Sequence, residues 1–333
     1  MATAQPTIDV LISTFNEEAY IAHCLDEVLC QDYPPDRFRA LLVDGGSTDR
    51  TVEIVQARAA LDPRLVFIPD GRRLNLPEAL DVALEHATAE LVAKIDAHGY
   101  PERDFLRRAA EAFANGPDDL ACVGGRPEQQ GETEFGRAAA LARTSRFGVG
   151  ASGYADTRSN VFVDTVQCGV YKRDALAKVG NFDPRMAYGE DEEVNWRLRQ
   201  AGYRILLDER IRFHYYARST WSGLYKQYRN YGTARVNVMA KHREFIRLHH
   251  FVPAAALCAA VALVAASPFA PVARYVGAAG AASYGALALI AAAAAAKGQK
   301  ASVVARVASA FPALHAGYGV GMLRGLIRRA LGR

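Results

Sequence analysis

Short apolar runs alternate with helix-periodic stretches through the first hundred residues. Residues 7–15 (TIDVLISTF), the head of 39–51 (RALLVDGGSTDRT), 65–68 (LVFI) and 90–100 (ELVAKIDAHGY) each hold a brief apolar run that ends abruptly in polar or glycine positions. Runs of that length predict buried strands. Between them, Ile21, Leu25, Val28 and Leu29 fall on one helical face from about Glu17 to Leu29. Val52, Ile54 and Val55 continue a second helix, for which Ser47 and Asp49 are N-cap candidates, and residues 76–86 form a third. Strand and helix in strict turn predict an α/β domain: a mixed, mostly parallel sheet covered by helices on both faces.

Ligand groups in such a sheet gather at the carboxyl ends of the strands. Two acids stand there, Asp44 before Gly45 and Gly46, and Asp96 before Ala97 and His98. Asp96 and His98 are two apart, so the turn can aim carboxylate and imidazole at one divalent cation. Taken alone, a D-x-H is a turn-capping acid with a solvated histidine, and DGG is an ordinary strand-to-helix turn. Neither strand is followed by a dinucleotide fingerprint or a P-loop.

In the second half, residues 131–160, Gly- and Ser-rich and without pattern, predict a mobile loop. Val194, Leu198 and Ala201 share a helix face, with Gly202 as the residue just past its end. Glu190 to Glu193 fill that helix's first turn, where acids favour the macrodipole without any catalytic role. Residues 221–235 mix aromatics with Lys226, Arg229 and Arg235.

LISTFNEEAYIAHCLDEVLCQDYP, LLVDGGSTDRTVEIV and KIDAHG, in that order and spacing, resemble the nucleotide-sugar half of the family 2 glycosyltransferases. The pattern G-E-D-x-x-x-x-x-R-L-R-x-A-G-Y, beginning at Gly189, resembles that family's base motif. The resemblance spans residues 7 to about 235 and is greatest to the succinoglycan-type exopolysaccharide glycosyltransferases. It implies a GT-A fold binding a nucleotide-diphosphate sugar through Mn²⁺ or Mg²⁺. Its implied donor set is Thr14, Asn16, Glu17, Asp44, Gly45, Ser47, Lys94 and Asp96. Asp96, His98 and His214 are the implied metal ligands, and Asp191, with Glu190 beside it, the implied base. Cys168, Gly169, Trp221 and Arg229 are implied for the acceptor region. His98 replaces the usual acid of D-x-D, which makes the site softer and better suited to Mn²⁺ than an all-oxygen set. Gln227 is followed by Tyr228, Arg229 and Asn230 rather than the family's Q-x-x-R-W, which favours addition of a single sugar over processive synthesis.

The chemistry is consistent with that constellation. A carboxylate takes the acceptor's proton, a metal neutralises the leaving diphosphate, and one displacement inverts the anomeric centre. Two alternatives compete. One moves the sugar onto polyprenyl phosphate itself; the other is a non-catalytic nucleotide-sugar-binding scaffold.

Residues 251–273 and 275–296 carry no charged side chain, and each is long enough to cross a hydrocarbon core of roughly 30 Å. Lys241, Arg243 and Arg247 precede them, Lys297, Lys300 and Arg306 follow, and only Arg274 lies between. That placement predicts a hairpin with both flanks cytoplasmic, in the inner membrane. A third apolar segment, 307–323, is expected to lie in the interface or re-enter, because a full crossing would carry Arg324, Arg328, Arg329 and Arg333 outside. The expected organisation is a catalytic domain over 1–225 (donor half 1–100, acceptor half 101–225), a basic interfacial segment over 226–250 and a membrane region over 251–333. A pocket held against a membrane implies a lipid-linked saccharide acceptor, and the resemblance implies UDP-glucose as donor. The chain's charge of +4 argues for no particular partner, and no nucleic acid is expected. Five cysteines without C-x-x-C spacing point to free thiols in a reducing compartment. The N-terminus lacks the basic and apolar regions of a secretory signal.

Overall fold

The apolar runs pair as parallel strands. In the computed structural model, which describes residues 5–149 and 160–331, the alternation appears as β1 (Ile8–Thr14), α1 (Ile21–Leu29), β2 (Phe38–Asp44), α2 (Thr51–Ala59), β3 (Leu65–Ile68), α3 (Leu76–His86) and β4 (Leu91–Asp96). Thr14 registers with Asp44 and Ser13 with Asp96, so the polar ends of three strands fall on one sheet edge. β1 has β2 on one side and β4 on the other, a crevice-forming arrangement. α3 begins where the sequence says it should: Asn75 and Glu78 form a reciprocal capping box, with Pro77 in the first turn.

The chain continues through β5 (Gly99–Pro101), α4 (Phe105–Ala114), β6 (Leu120–Gln130), α5 (Glu134–Thr144), α6 (Arg146–Val149), β7 (Val161–Phe162), β8 (Gln167–Lys172), α7 (Arg173–Val179), α8 (Glu190–Gln200) and β9 (Arg204–Tyr216). The strand order is β3-β2-β1-β4-β8-β6-β9-β5, with β7 on β9. β8 runs antiparallel to β4, pairing Val170 with Ala93, so a parallel half continues into strands with antiparallel pairing. Four helices follow: α9 (Trp221–Lys241), α10 (Val252–Ala266), α11 (Pro271–Ala295) and α12 (Ala301–Ala330).

Two compact units result, residues 1–128 with 156–215, and residues 129–155 with 216–333. This division differs from the expected boundary at 225, because part of the stretch expected to be a loop folds with the C-terminal helices. Within 131–160, Thr133 caps α5 by accepting a hydrogen bond from the Gly136 amide at 2.9 Å. Ala138, Ala139 and Ala142 of α5 are fully buried in a cluster with Val307, Phe311 and Leu314 of α12. Residues 150–159 of that expected loop lie outside the described residues.

The segment 307–323 is unbroken. It lies inside one continuous thirty-residue helix that runs through Pro312. Small residues let α9 approach it closely: a Cβ on Gly321 would stand 1.9 Å from the Arg229 carbonyl oxygen, and one on Gly317 would stand 2.7 Å from that of Tyr225. Gly321→Ala therefore forces two helices apart, and overpacking of this kind costs about 1–3 kcal/mol. Gly280 of α11 faces open space, so Gly280→Ala changes only helix propensity and gains up to ~1 kcal/mol. Thermal unfolding of the two variants in detergent is expected to move in opposite directions.

Residues 248–266 and 271–295 form helices long and apolar enough to cross a membrane, with mean hydropathy 1.9 and 1.6. Only 6% and 11% of their most apolar windows are buried against the chain, which separates them from the buried core helices of a soluble domain. The break between them falls earlier than the charge pattern places it. Arg274 sits in the first turn of α11 and donates from Nε to the Ser267 carbonyl at 2.6 Å.

Candidate functional site

The end of β2 builds a loop around its own acid. Asp44 Oδ2 accepts from the amides of Gly46 and Ser47 at 2.9 and 2.8 Å, and Oδ1 accepts from the hydroxyls of Ser47 and Thr14 at 2.5 and 3.2 Å. Gly45 is required there, since a Cβ would stand 2.7 Å from the Leu74 carbonyl oxygen. Gly46 takes a left-handed φ of +87°. Asn16, also left-handed, locks the same loop: its amide donates to Ser47 Oγ, and its Oδ1 accepts from the Thr48 amide, both at 2.8 Å. Thr14, Asn16, Asp44, Gly45 and Ser47 thus meet as one group at the carboxyl edge of the sheet.

β4 delivers the charges. Lys94 and Asp96 alternate onto one face of the strand, and the Lys94 side chain is only 2% exposed. Its ammonium lies 3.0 Å from Asp96 Oδ1, 2.9 Å from Glu190 Oε1 and 3.0 Å from Asp191 Oδ2. Burial works against that charge, but the three acids outweigh it and hold the ammonium well above its usual range. Burial also opposes ionisation of Asp96, yet Lys94 and His98 keep its carboxyl below the usual value. His98 Nδ1 lies 3.3 Å from Glu17 Oε1, and its ring meets that of Tyr215 edge-on at 5.5 Å. Burial would discharge this imidazole; Glu17, Tyr215 and Asp96 prevail and push it up to about 9.

α8 brings in the third part. Gly189, left-handed at φ +80°, turns the chain so that Glu190 and Asp191 open the helix facing Lys94. Asp191 Oδ1 is buried and has no hydrogen-bond partner among the described residues. Burial raises the Asp191 carboxyl, with Lys94 opposing and Glu190 and Asp96 adding, to about 7. The helix is pinned by groups that the sequence reading passed over. Arg197 donates from Nε and Nη2 to fully buried Glu193 at 2.9 and 2.7 Å, from Nη2 to the Asn181 carbonyl at 2.6 Å, and from Nη1 to that of Val179. Their i, i+4 spacing was the available signal.

Not every expected residue joins. His214 stands on β9 between inward-facing Phe213 and Tyr215, and strand alternation sends it to the opposite face from the ring that meets His98. It lies 3.4 Å from Glu128 and 3.8 Å from Glu102. Among the described residues, Glu102, Glu128 and His214 are the set of three such groups whose ligand atoms lie within 4.8 Å of one another. The trio of Asp96, His98 and His214 is not assembled. Cys168, at φ +47°, packs its buried sulfur 3.7 Å from where a Cβ on Gly99 would be. A Cβ on Gly169 would overlap the Tyr171 ring at 2.8 Å. Both are packed into the sheet; burial raises the Cys168 thiol, and Asp96, Lys94 and Asp191 also act on it, so Cys168 borders the site. Trp221 and Arg229 belong to the second unit, on α9, where the Trp221 indole N–H donates to the Ser309 carbonyl at 3.0 Å.

The donor set suits a divalent cation. Glu17, Asp96, Glu190 and Asp191 face one ammonium and one imidazole, and Glu17 and Asp96 are among the groups that raise His98. With its proton displaced by a metal, His98 would offer an imidazole nitrogen beside the Asp96 carboxylate oxygen, a pairing that suits Mn²⁺.

An α/β sheet with these strand-end groups has the GT-A fold. It matches the Pyrobaculum calidifontis mannosyltransferase PcManGT, solved in complex with GDP-Man and Mn²⁺, with a TM-score of 0.68 at 23% identity, over 97% of this chain and 88% of that one. The profile described as "Glycosyl transferase family 2" matches residues 9–180, and the chain belongs to that family. Over 253 residues it is 32% identical to the succinoglycan biosynthesis protein ExoA of Rhizobium meliloti (strain 1021), covering 74% of each chain. Over 235 residues it is 28% identical to a Methanococcus voltae enzyme, dolichyl N-acetyl-alpha-D-glucosaminyl phosphate 3-beta-D-2,3-diacetamido-2,3-dideoxy-beta-D-glucuronosyltransferase, covering 68% of this chain and 72% of that one.

Proposed function

We propose that the chain is a membrane-attached inverting glycosyltransferase. It moves a hexose, glucose from UDP-glucose, onto a hydroxyl of a polyprenyl-diphosphate-linked saccharide in surface or exopolysaccharide synthesis. The observation that carries this is Asp191 Oδ1, a buried carboxylate oxygen with no partner among the described residues, on an acid whose other oxygen is held by Lys94. The acceptor hydroxyl gives its proton to that oxygen as it bonds to the anomeric carbon. The bond from that carbon to the diphosphate breaks, and the nucleoside diphosphate leaves with the electron pair. Asp96 and His98 would hold Mn²⁺ or Mg²⁺, which supplies charge neutralisation for the leaving group. Thr14, Asn16, Glu17, Asp44, Gly45 and Ser47 line the nucleotide's side of the site.

The lipid-linked acceptor is supported by the Methanococcus voltae relative, whose name places its acceptor on dolichyl phosphate, and by the two unburied apolar helices. Basic residues on both flanks of that hairpin favour a catalytic unit on the cytoplasmic side of the inner membrane.

The reading is tested by titrating UDP and GDP into the detergent-purified chain with Mn²⁺, with Mg²⁺ and with chelator. UDP is expected to bind more tightly than GDP and only with metal, and Asp96→Ala to weaken metal-dependent binding by about 10–100-fold or more. Equal binding in chelator would remove Asp96 from the donor site.

A further inference from the structure

The Lys94 ammonium lies within 3.0 Å of three acids and donates a hydrogen bond to one of them, Asp191, at Oδ2. The sequence resemblance implies a place in the donor set for this residue. The chain spends a fully buried cation on holding its own carboxylates together. Asp96 comes from the end of β4, whereas Glu190 and Asp191 come from the first turn of α8, so one side chain ties the donor strand to the base helix.

The terminal torsion of an aspartate is broad and two-fold, so nothing intrinsic to Asp191 decides which oxygen faces the acceptor. The ammonium decides it, because Oδ2 is taken at 3.0 Å and Oδ1 is left without a partner among the described residues. We infer that Lys94 is a positioning residue that fixes Asp191 to the Asp96 carboxylate and selects Oδ1 as the oxygen offered to the acceptor hydroxyl. This rests on Asp191 being the base.

The role is separated from donor binding and from plain charge balance by a double-mutant cycle in the full-length chain in detergent. Lys94→Met, the charge-balanced Lys94→Met/Glu190→Gln, Asp191→Asn and Lys94→Met/Asp191→Asn are compared with the wild type. UDP affinity in Mn²⁺ is measured alongside turnover at saturating donor. The donor is whichever of UDP-glucose, UDP-galactose and GDP-mannose the wild type uses best with a polyprenyl-diphosphate-linked sugar.

Positioning predicts turnover about 10²-fold lower in the first two variants, with UDP affinity unchanged. It also predicts little further loss when Lys94→Met is added to Asp191→Asn. A fall in UDP affinity with turnover kept at saturation would overturn the proposal in favour of donor binding. Losses that multiply across the cycle would overturn it as well, because Lys94 would then act independently of Asp191. If neither Lys94 variant folds, the residue is needed for the fold itself beyond charge balance, and the positioning role is lost. Failure of the wild type to turn over any of the three donors is a different result: it overturns the functional reading, and this proposal with it.

Discussion

Asp191→Asn is expected to slow sugar transfer by about 10²–10⁴-fold, the range that a positioned general base supplies. Asparagine keeps the size of the side chain and can turn its carbonyl toward the Lys94 ammonium, so the hub survives, but its amide cannot accept a proton. UDP binding in Mn²⁺ is therefore expected to be unchanged, and the loss to fall on turnover. A loss below about tenfold would point instead to a phosphate acceptor, which is already ionised and needs no base. The wild type adds a second readout. With the Asp191 carboxyl pushed up to about 7, only its ionised fraction can take the proton. The rate is expected to climb as pH rises through neutrality, whereas the residual rate of the asparagine variant should lack that step.

Arg197→Met is expected to destabilise the chain by about 3–5 kcal/mol, the cost of breaking a buried pair by removing one member. Glu193 is fully buried, and Arg197 donates to both of its oxygens. The same guanidinium ties the Val179 and Asn181 carbonyls to α8, so the helix that presents Asp191 loses its brace. The nearby Arg199→Met provides the comparison: Arg199 pairs at 2.8 Å with Asp164, which is 67% exposed, and such a pair contributes about 0–1 kcal/mol. Denaturant midpoints of the two variants in detergent should differ accordingly. Equal midpoints would mean that α8 is held by its apolar face, Val194 and Leu198, and not by the clamp.

The donor edge was legible in the sequence because its signals are local. β3 and α3 fall where the apolar runs place them, and Asp44 and Asp96 end their strands as the breaks at glycine and alanine imply. α5 was not legible, because its buried face is made of alanines, which carry no hydrophobic period against a Gly-rich background. The ties from Lys94 to Glu190 and Asp191 were not legible, because those two acids lie almost a hundred residues away, on a helix whose first turn reads equally well as a macrodipole partner. His214 could have been placed from its strand. Apolar residues on both sides of it fix Phe213 and Tyr215 inward, and a period of two then assigns the histidine to the other face. The clamp of Glu193 and Arg197 was visible as a spacing, but spacing alone does not report burial.

The second unit is assembled from both ends of a long stretch of sequence, and this has a consequence in time. The alanine face of α5 is completed by α12, whose first residue, Ala301, is made long after Thr144. At roughly 5–20 residues per second of synthesis, that face waits on the order of ten seconds for its partner. In that interval β4 and its charges are already made, while the helix meant to cover α5 is still to be synthesised. A nascent chain released early should therefore be caught by chaperones at residues 134–149, and slowing synthesis downstream of α11 should lengthen the exposure.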